Sequence, residues 1–307
     1  MPKIRCLPDE LAVERDGEQT ILSALIEAEV PIAHACDGKA RCSTCRVRIV
    51  DGHDAVTERT RGERAIADRL GLPDEIRLAC QTSTVADVTV ERLVLDEIDG
   101  ILADQTDSAR VSAPVGTELD ITVLFADVVG YTALADGLPA YDILHILNRF
   151  FRGAGRVVEI NNGRVDNYMG DAILALFGVD GEEIDPCGAV KAGLEMLTVA
   201  NSVSDYVNRL YGRAFSIRVG VHHGRVVVGS IGGEGSARTT AIGEAVNLAS
   251  RLEAANKDLG TDMLASEQVI RPRRDSVVCG RTFELDLRGI AGDTKAFEVL
   301  GVASETT

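Results

Sequence analysis

Three cysteines inside ten residues and a fourth far downstream constrain this chain more than any other feature. Cys36, Cys42 and Cys45 follow C-x5-C-x2-C, and Cys80 comes after 34 intervening residues. Such crowding demands an irregular loop, and the fourth thiol demands that a second segment return to it. The N-terminus, MPKIRCLPDE, has no apolar core of a secretory signal. No run of about 18 apolar residues predicts membrane insertion. The expected compartment is the cytoplasm, where structural disulfides are rare. The thiols therefore need another explanation. Cys6, Cys187 and Cys279 read as buried core thiols, and His34 as a packing or hydrogen-bonding residue.

Four thiolates can hold two irons bridged by two sulfides, two cysteines per iron. Ala35, Gly38, Ala40, Ser43 and Thr44 are small enough to let backbone N–H groups approach the sulfurs. A zinc site shares C-x2-C but normally shows two close pairs, and Cys80 has no near partner. The surrounding residues read as strand, strand, helix (TILSALIEAEV, capped by Thr20 and stopped by Pro31), cysteine loop, strand, short helix and last strand. HACDGKARCSTCRVRIVDG and RLACQT resemble the 2Fe–2S ferredoxin family, with the five-residue first gap of its adrenodoxin-type members. The resemblance covers residues 3–93 and implies a β-grasp fold with a 2Fe–2S cluster on Cys36, Cys42, Cys45 and Cys80.

A length of 307 residues predicts two domains. We expect residues 1–93 as the ferredoxin-type domain, 94–117 as a linker or transducer, and 118–307 as a second domain. Over 90–104, Val94, Ile98, Ile101 and Leu102 fall on one helical face. That helix either packs on its own domain or pairs between two chains. The fold class expected overall is α+β. In the second domain ITVLFAD reads as a buried strand, GRVDNY and AILALFG as strands about a Met-Gly-Asp turn, and FSIRVGVHHG with RVVVGSIG as a hairpin. His222 and His223 then read as edge-strand residues with no catalytic part.

Asp127 ends an apolar strand and Asp171 sits in the Met-Gly-Asp turn. If those strands are neighbours, two carboxylates emerge at one edge, and their repulsion is relieved by cations between them. Divalent Mg²⁺ or Mn²⁺ with substrate phosphates suits such a pair. The following backbone, Val129, Gly130, Tyr131 and Thr132, offers N–H groups to phosphate oxygens at a turn and helix start. ITVLFADVVGYTAL, RVDNYMGDAILALFG, VGVHHGRVVVGSIG and AIGEAVNLASRLEA closely resemble the class III nucleotidyl cyclase catalytic domain over 118–301.

That resemblance implies a ferredoxin-like βαββαβ core acting as a homodimer with active sites at the subunit interface. It implies two Mg²⁺ or Mn²⁺ ions on Asp127, Asp171 and the Val128 carbonyl. It makes Asn247 and Arg251 the transition-state pair, four apart and so on one helix face, and Arg288 the grip on the terminal phosphates where the family has Lys. Base choice falls to Asn167, where adenylate-specific members carry Lys and guanylate-specific ones Glu, and to Thr240. Thr240 and the missing Glu favour ATP, with GTP the alternative substrate.

Thirty-two Lys+Arg against forty-eight Asp+Glu give a net charge of −16, which argues against nucleic acid as a partner. The expected protein is an adenylate cyclase regulated by the redox state or presence of its 2Fe–2S cluster, with an electron donor as a further partner. The alternatives are a guanylate cyclase, or a weak nucleotide-binding domain attached to an electron carrier.

Overall fold

The computed structural model describes residues 2–8, 10–14, 19–30, 32–93, 116–179, 186–232, 238–290 and 292–303. The amphipathic stretch with Val94, Ile98, Ile101 and Leu102 lies outside the described residues, as do residues 94–115 of the expected linker. The chain separates into two compact units, Met1–Gly116 and Thr117–Thr307.

In the first unit β1 (Lys3–Leu7) and β2 (Leu11–Glu14) form the expected antiparallel hairpin. Helix α1 (Ile21–Glu27) starts at Thr20, whose hydroxyl accepts from the Ser23 N–H at 3.2 Å. It ends before Pro31 is reached. Glu29 turns left-handed (φ 58°) and the Val30 N–H returns to the Leu25 carbonyl at 2.9 Å, which closes the helix end. After the cysteine loop come β3 (Arg46–Asp51), α2 (Arg61–Leu70), β4 (Ile76–Leu78) and β5 (Val88–Arg92). The sheet order is β2-β1-β5-β3-β4 with β1 and β5 parallel, the β-grasp arrangement. Ile21, Leu22 and Leu25 of α1 pack into a core with Ile4, Val47, Leu78 and Val90. Each such side chain contributes about 1.5–3 kcal/mol on burial.

Helix α2 holds the two cysteine-bearing segments. Thr60 caps it by accepting from the Glu63 N–H at 3.2 Å. The T-x-x-E spacing is that of a reciprocal capping box, yet the Glu63 carboxylate turns inward instead. It takes two parallel bonds from Arg77, both at 2.9 Å, and the Leu78 N–H at 2.8 Å, two residues before Cys80. Glu63 is 1% exposed and Arg77 5%. At the preceding position, a Cβ on Gly62 would stand 2.9 Å from the Ala40 Cβ of the cysteine loop, so only glycine admits that approach.

The second unit runs β6 (Thr117–Val128), α3 (Tyr131–Ala135), α4 (Ala140–Ile160), β7 (Gly163–Met169), β8 (Ala172–Phe177), α5 (Pro186–Tyr211), β9 (Ile217–Ile231), β10 (Arg238–Ile242), α6 (Glu244–Leu259), β11 (Met263–Ser266), α7 (Glu267–Ile270), β12 (Val277–Asp286) and β13 (Asp293–Val302). Its main sheet has the order β12-β13-β11-β9-β6-β8-β7, with β10 paired to β9. The βαββαβ core is β6-α4-β7-β8-α5-β9, with its strands ordered β9-β6-β8-β7. Leu124, Ala126, Ile217 and Val219 face the core shared with α4 and α5. Ile121, Val123, Leu174 and Leu176 face the opposite side, where Ala245 and Ala249 of α6 cover them.

Two expectations are corrected here. FSIRVGVHHGRVVVGSIG is not a hairpin but carries one continuous strand, because Gly224 stays extended and pairs with Ile121 while both flanks keep their register with β6. That strand lies between β6 and β11, so His222 and His223 are not edge residues. His222 is buried and its Nδ1 shares a hydrogen bond with Ser266 Oγ at 2.8 Å.

Removing the Glu63 carboxylate strands a buried guanidinium. Glu63→Ala is expected to destabilise the first unit by about 3–5 kcal/mol. Denaturant unfolding followed by calorimetry or circular dichroism checks it, and a loss under 1 kcal/mol on the scale of an exposed pair contradicts the assignment.

Candidate active site

The four thiols draw together in two pairs. Burial works against ionisation of Cys36, but N–H groups of Arg41, Cys42 and Lys39 and the Cys42 thiol outweigh it and lower its pKa. Burial raises Cys42, against hydrogen bonds from Thr44, whose Oγ1 lies 3.2 Å from the sulfur. Cys45 is pushed up by its bond to Cys80 and then by burial, and it also feels Cys42. Cys80 falls to about 6, held there first by the Cys45 thiol and then, against burial, by the Gln81 side chain and the Ala40 N–H. The loop manages this through left-handed turns at Asp37 (φ 52°), Gly38 (φ 73°) and Ala40 (φ 51°), which aim successive N–H groups inward. Two thiol pairs among backbone donors, Cys36 with Cys42 and Cys45 with Cys80, supply the ligand types that an iron–sulfur cluster requires. His34 lies beside them with Nδ1 at 2.9 Å from the Ile32 carbonyl.

In the second unit strand register builds an acidic site. Asp127 stands opposite Ala172 on β8, the residue after Asp171, and opposite Arg218 on β9. Burial first, then the Asp171 charge, raises Asp127 to about 6; Arg218 and the Val128 N–H, 2.9 Å from Oδ1, oppose the shift. Arg218 shares the α6 side of the sheet with Gly220. A Cβ on Gly220 would stand 2.2 Å from the Ala249 carbonyl oxygen and 2.3 Å from the Glu253 nitrogen, so α6 lies directly on the strand there. Glu253 is buried on this inner side, and burial, then Asp127, raises it to about 7, with Arg218 opposing.

On the other face of α6, Asn247 and Arg251 are exposed, and their side chains hydrogen-bond to no other described residue. Leu287 packs with Leu248 and Leu252, which seats the exposed Arg288 on the same helix. The acids and the Asn–Arg pair are thus not brought together within one chain. Val128 is buried at the end of β6. Of the N–H groups expected to cradle phosphate, Val129's is not available, because it pairs with the Ser216 carbonyl at 2.9 Å. Gly130 is left-handed (φ 63°) and opens α3, so the N–H groups of Tyr131 and Thr132 have no acceptor among the described residues.

Asn167 and Thr240 are brought to neighbouring strands by two bonds between β7 and β10. Arg238 donates to Asn167 Oδ1 at 2.9 Å, and Thr240 Oγ1 donates to Asp166 Oδ2. Arg218, Glu253, Arg238 and Asp166 escape a reading of the sequence, since strand alternation marks their faces but only pairing reveals their neighbours.

Comparison with known proteins identifies both units. Residues 115–295 match the adenylate and guanylate cyclase catalytic domain. The chain belongs to that family. Residues 5–84 match the 2Fe–2S iron–sulfur cluster binding domain. Among curated relatives, an adenylate cyclase of Anabaena cylindrica is 31% identical over 201 residues, 64% of this chain and 38% of that protein. Adenylate cyclase 1 of Rhizobium meliloti (strain 1021) is 30% identical over 190 residues, 60% of this chain and 28% of that protein. The chain thus spans well under half the length of either relative. The solved guanylyl cyclase Cya2 superposes with a TM-score of 0.59 at 28% identity, covering 62% of this chain and 97% of that one. No helix among the described residues is long and apolar enough to cross a membrane.

The raised carboxyls have a signed consequence. Asp127 and Glu253 lie above their ordinary values of 3.8 and 4.5, at about 6 and about 7. Their contribution to stability is complete below about pH 4 and is lost as pH rises through about 6 and 7. His222, lowered to about 4 by burial and then by His223, has the opposite slope. The comparison with Asp127→Asn isolates the acid. In metal-free protein the Tm advantage of Asp127→Asn over wild type is expected to widen from about pH 5 to about pH 7.5. A constant difference contradicts the coupling.

Proposed function

We propose that the second unit is an adenylate cyclase that converts ATP to 3′,5′-cyclic AMP and pyrophosphate at a site shared between two copies. One observation carries the shared site: the acid pair lies beneath the inner face of α6, while Asn247 and Arg251 leave its outer face. A complete site then needs the Asn–Arg face of a second chain. Exposed apolar side chains on neighbouring strands, among them Tyr168, Val227, Ile231 and Ile242, supply a face for that homodimer to cover.

Asp127, Asp171 and the Val128 carbonyl would hold two divalent ions, Mg²⁺ or Mn²⁺. Bound there, the ions would lower the pKa of the ribose 3′-hydroxyl and neutralise the triphosphate. The partner copy's Asn–Arg pair does the positioning. Asn247 orients the ribose so that O3′ attacks the α-phosphorus in line, and Arg251 stabilises charge developing on the leaving pyrophosphate. Gly130, Tyr131 and Thr132 offer their N–H groups to phosphate oxygens, and Arg218 and Arg288 pair with the terminal phosphates.

Adenine suits the base site. Arg238 occupies the Asn167 carbonyl oxygen, which turns the Asn167 amide into a donor. Thr240 gives its proton to Asp166, which leaves hydroxyl lone pairs to accept. One donor and one acceptor match adenine N1 and N6–H₂. Guanine N1–H and N2–H₂ call for the two acceptors of a carboxylate, whereas Asn167 has a single oxygen, already engaged by Arg238. The presence of two adenylate cyclases among the relatives supports the same choice.

The cluster regulates turnover in this reading. A one-electron change alters its charge by one unit, enough to bias two arrangements of a dimer when each arrangement solvates the charge differently. An electron donor is the partner this requires.

Product assays with ATP and GTP in parallel, at each redox state under anaerobic conditions, test substrate and regulation together. We expect cyclic AMP to dominate and its rate to differ between oxidised and reduced protein. Equal or greater cyclic GMP overturns the base assignment, and identical rates overturn the regulation. Complementation tests the shared site. Asp171→Ala and Arg251→Ala should each lose activity more than a hundredfold. Their mixture should recover about a quarter of wild-type activity, since half the dimers then carry one intact site of two. A mixture as inactive as its parents contradicts a site built from two chains.

A further inference from the structure

A second cationic pocket lies away from the acid pair, at the β12–β13 end of the sheet. Its sequence signature is Arg271-Pro272-Arg273-Arg274, three arginines in four positions of a chain whose net charge is −16. A 3₁₀ turn over Arg271–Ser276 follows α7 directly. The run kinks at Arg273 (φ −131°, ψ 32°), between the two arginines that face the cavity. Arg271 and Arg274 line one cavity of about 450 Å³, with Lys295 entering from β13 and Thr282 from β12.

The cations are held in place by aromatic contact. The Arg274 guanidinium carbon lies 5.0 Å from the centre of the Phe297 ring and Lys295 Nζ 5.7 Å from it. A ring that carries two cations keeps them from dispersing into solvent as a flexible pair otherwise does. The lining contains one acid, Glu267, whose carboxylate is 3.5 Å from Lys295. Three positive groups against one negative leave the pocket at +2. Neither Arg271 nor Arg274 has a carboxylate partner among the described residues.

The donor inventory selects the ligand. Two guanidinium groups offer five N–H bonds each and an ammonium three, with a hydroxyl beside them. A single carboxylate is satisfied by one guanidinium fork and cannot engage the rest. A lone phosphate leaves most of 450 Å³ empty. An anion with several phosphoryl groups both fills the space and accepts from separate directions. We propose that this pocket is a binding site for an oligophosphate anion, of pyrophosphate size or larger, apart from the catalytic centre.

Isothermal titration of the full-length protein with sodium tripolyphosphate, free of divalent ions, tests it. Wild type and Arg288→Ala should bind alike, because Arg288 belongs to the other site. Arg271→Gln/Arg274→Gln should weaken binding at least tenfold, and so should Lys295→Gln, which alters β13 rather than the 3₁₀ turn. The paired arginines are exposed and outside the catalytic machinery, so cyclase kcat at saturating ATP should stay unchanged in the double variant. Binding in the double variant equal to wild type overturns the proposal, as does abolition of binding by Arg288→Ala alone, which moves the event to the active centre.

Discussion

Two carboxylates held side by side without an ion between them repel, and the second unit is arranged around that repulsion. The β6–β8 register sets Asp127 against the residue after Asp171, and the β6–β9 register sets Arg218 against Asp127. Gly220 lets α6 descend onto β9 until its backbone touches the strand, which brings a third acid, Glu253, toward the pair. Burial first, and then the charges of their neighbouring acids, raise Asp127 and Glu253 against the opposing guanidinium of Arg218. Divalent cations would relieve that repulsion, and the proposed phosphoryl chemistry would supply them. The same descent of α6 sends Asn247 and Arg251 out of the opposite face, so the feature that collects the acids also separates them from the pair proposed to complete the site.

The first unit solves a different problem with the same economy. Its cysteine loop is irregular, short of apolar side chains and unable to hold its own shape. Helix α2 supplies what the loop lacks. Gly62 allows the loop backbone to close upon the helix, and Glu63 fastens the segment that carries Cys80 through Arg77 and the Leu78 N–H. A buried ion pair is a poor source of net stability but a strong constraint on geometry, because each partner is costly to leave alone. The sulfurs then meet in two pairs, Cys36 with Cys42 and Cys45 with Cys80, among N–H groups already aimed at them.

Much of this was legible before any coordinates. The cysteine spacing, the Thr20 cap and the two strands about Met169–Asp171 all follow from local chemistry that no tertiary contact overrides. What escaped notice depends on pairing. Gly224 reads as a turn because glycine usually punctuates strands, yet here it lies in an unbroken strand under Ala245. Val129 reads as a free donor because it precedes a helix, yet the Ser216 carbonyl claims it. Glu63 fits a capping pattern in every respect except the direction of its side chain. Arg238 and Asp166 gain meaning only when β10 is laid beside β7. In each case periodicity names the face and the partner strand names the neighbour.

The central claim is that Asp127 and Asp171 form one cation-binding centre for nucleoside triphosphate. Electron paramagnetic resonance of Mn²⁺ in the presence of a non-hydrolysable ATP analogue measures it directly. The account predicts two tightly bound Mn²⁺ per occupied site in wild type and their loss in Asp127→Asn and in Asp171→Asn. Unchanged Mn²⁺ binding in both variants contradicts it.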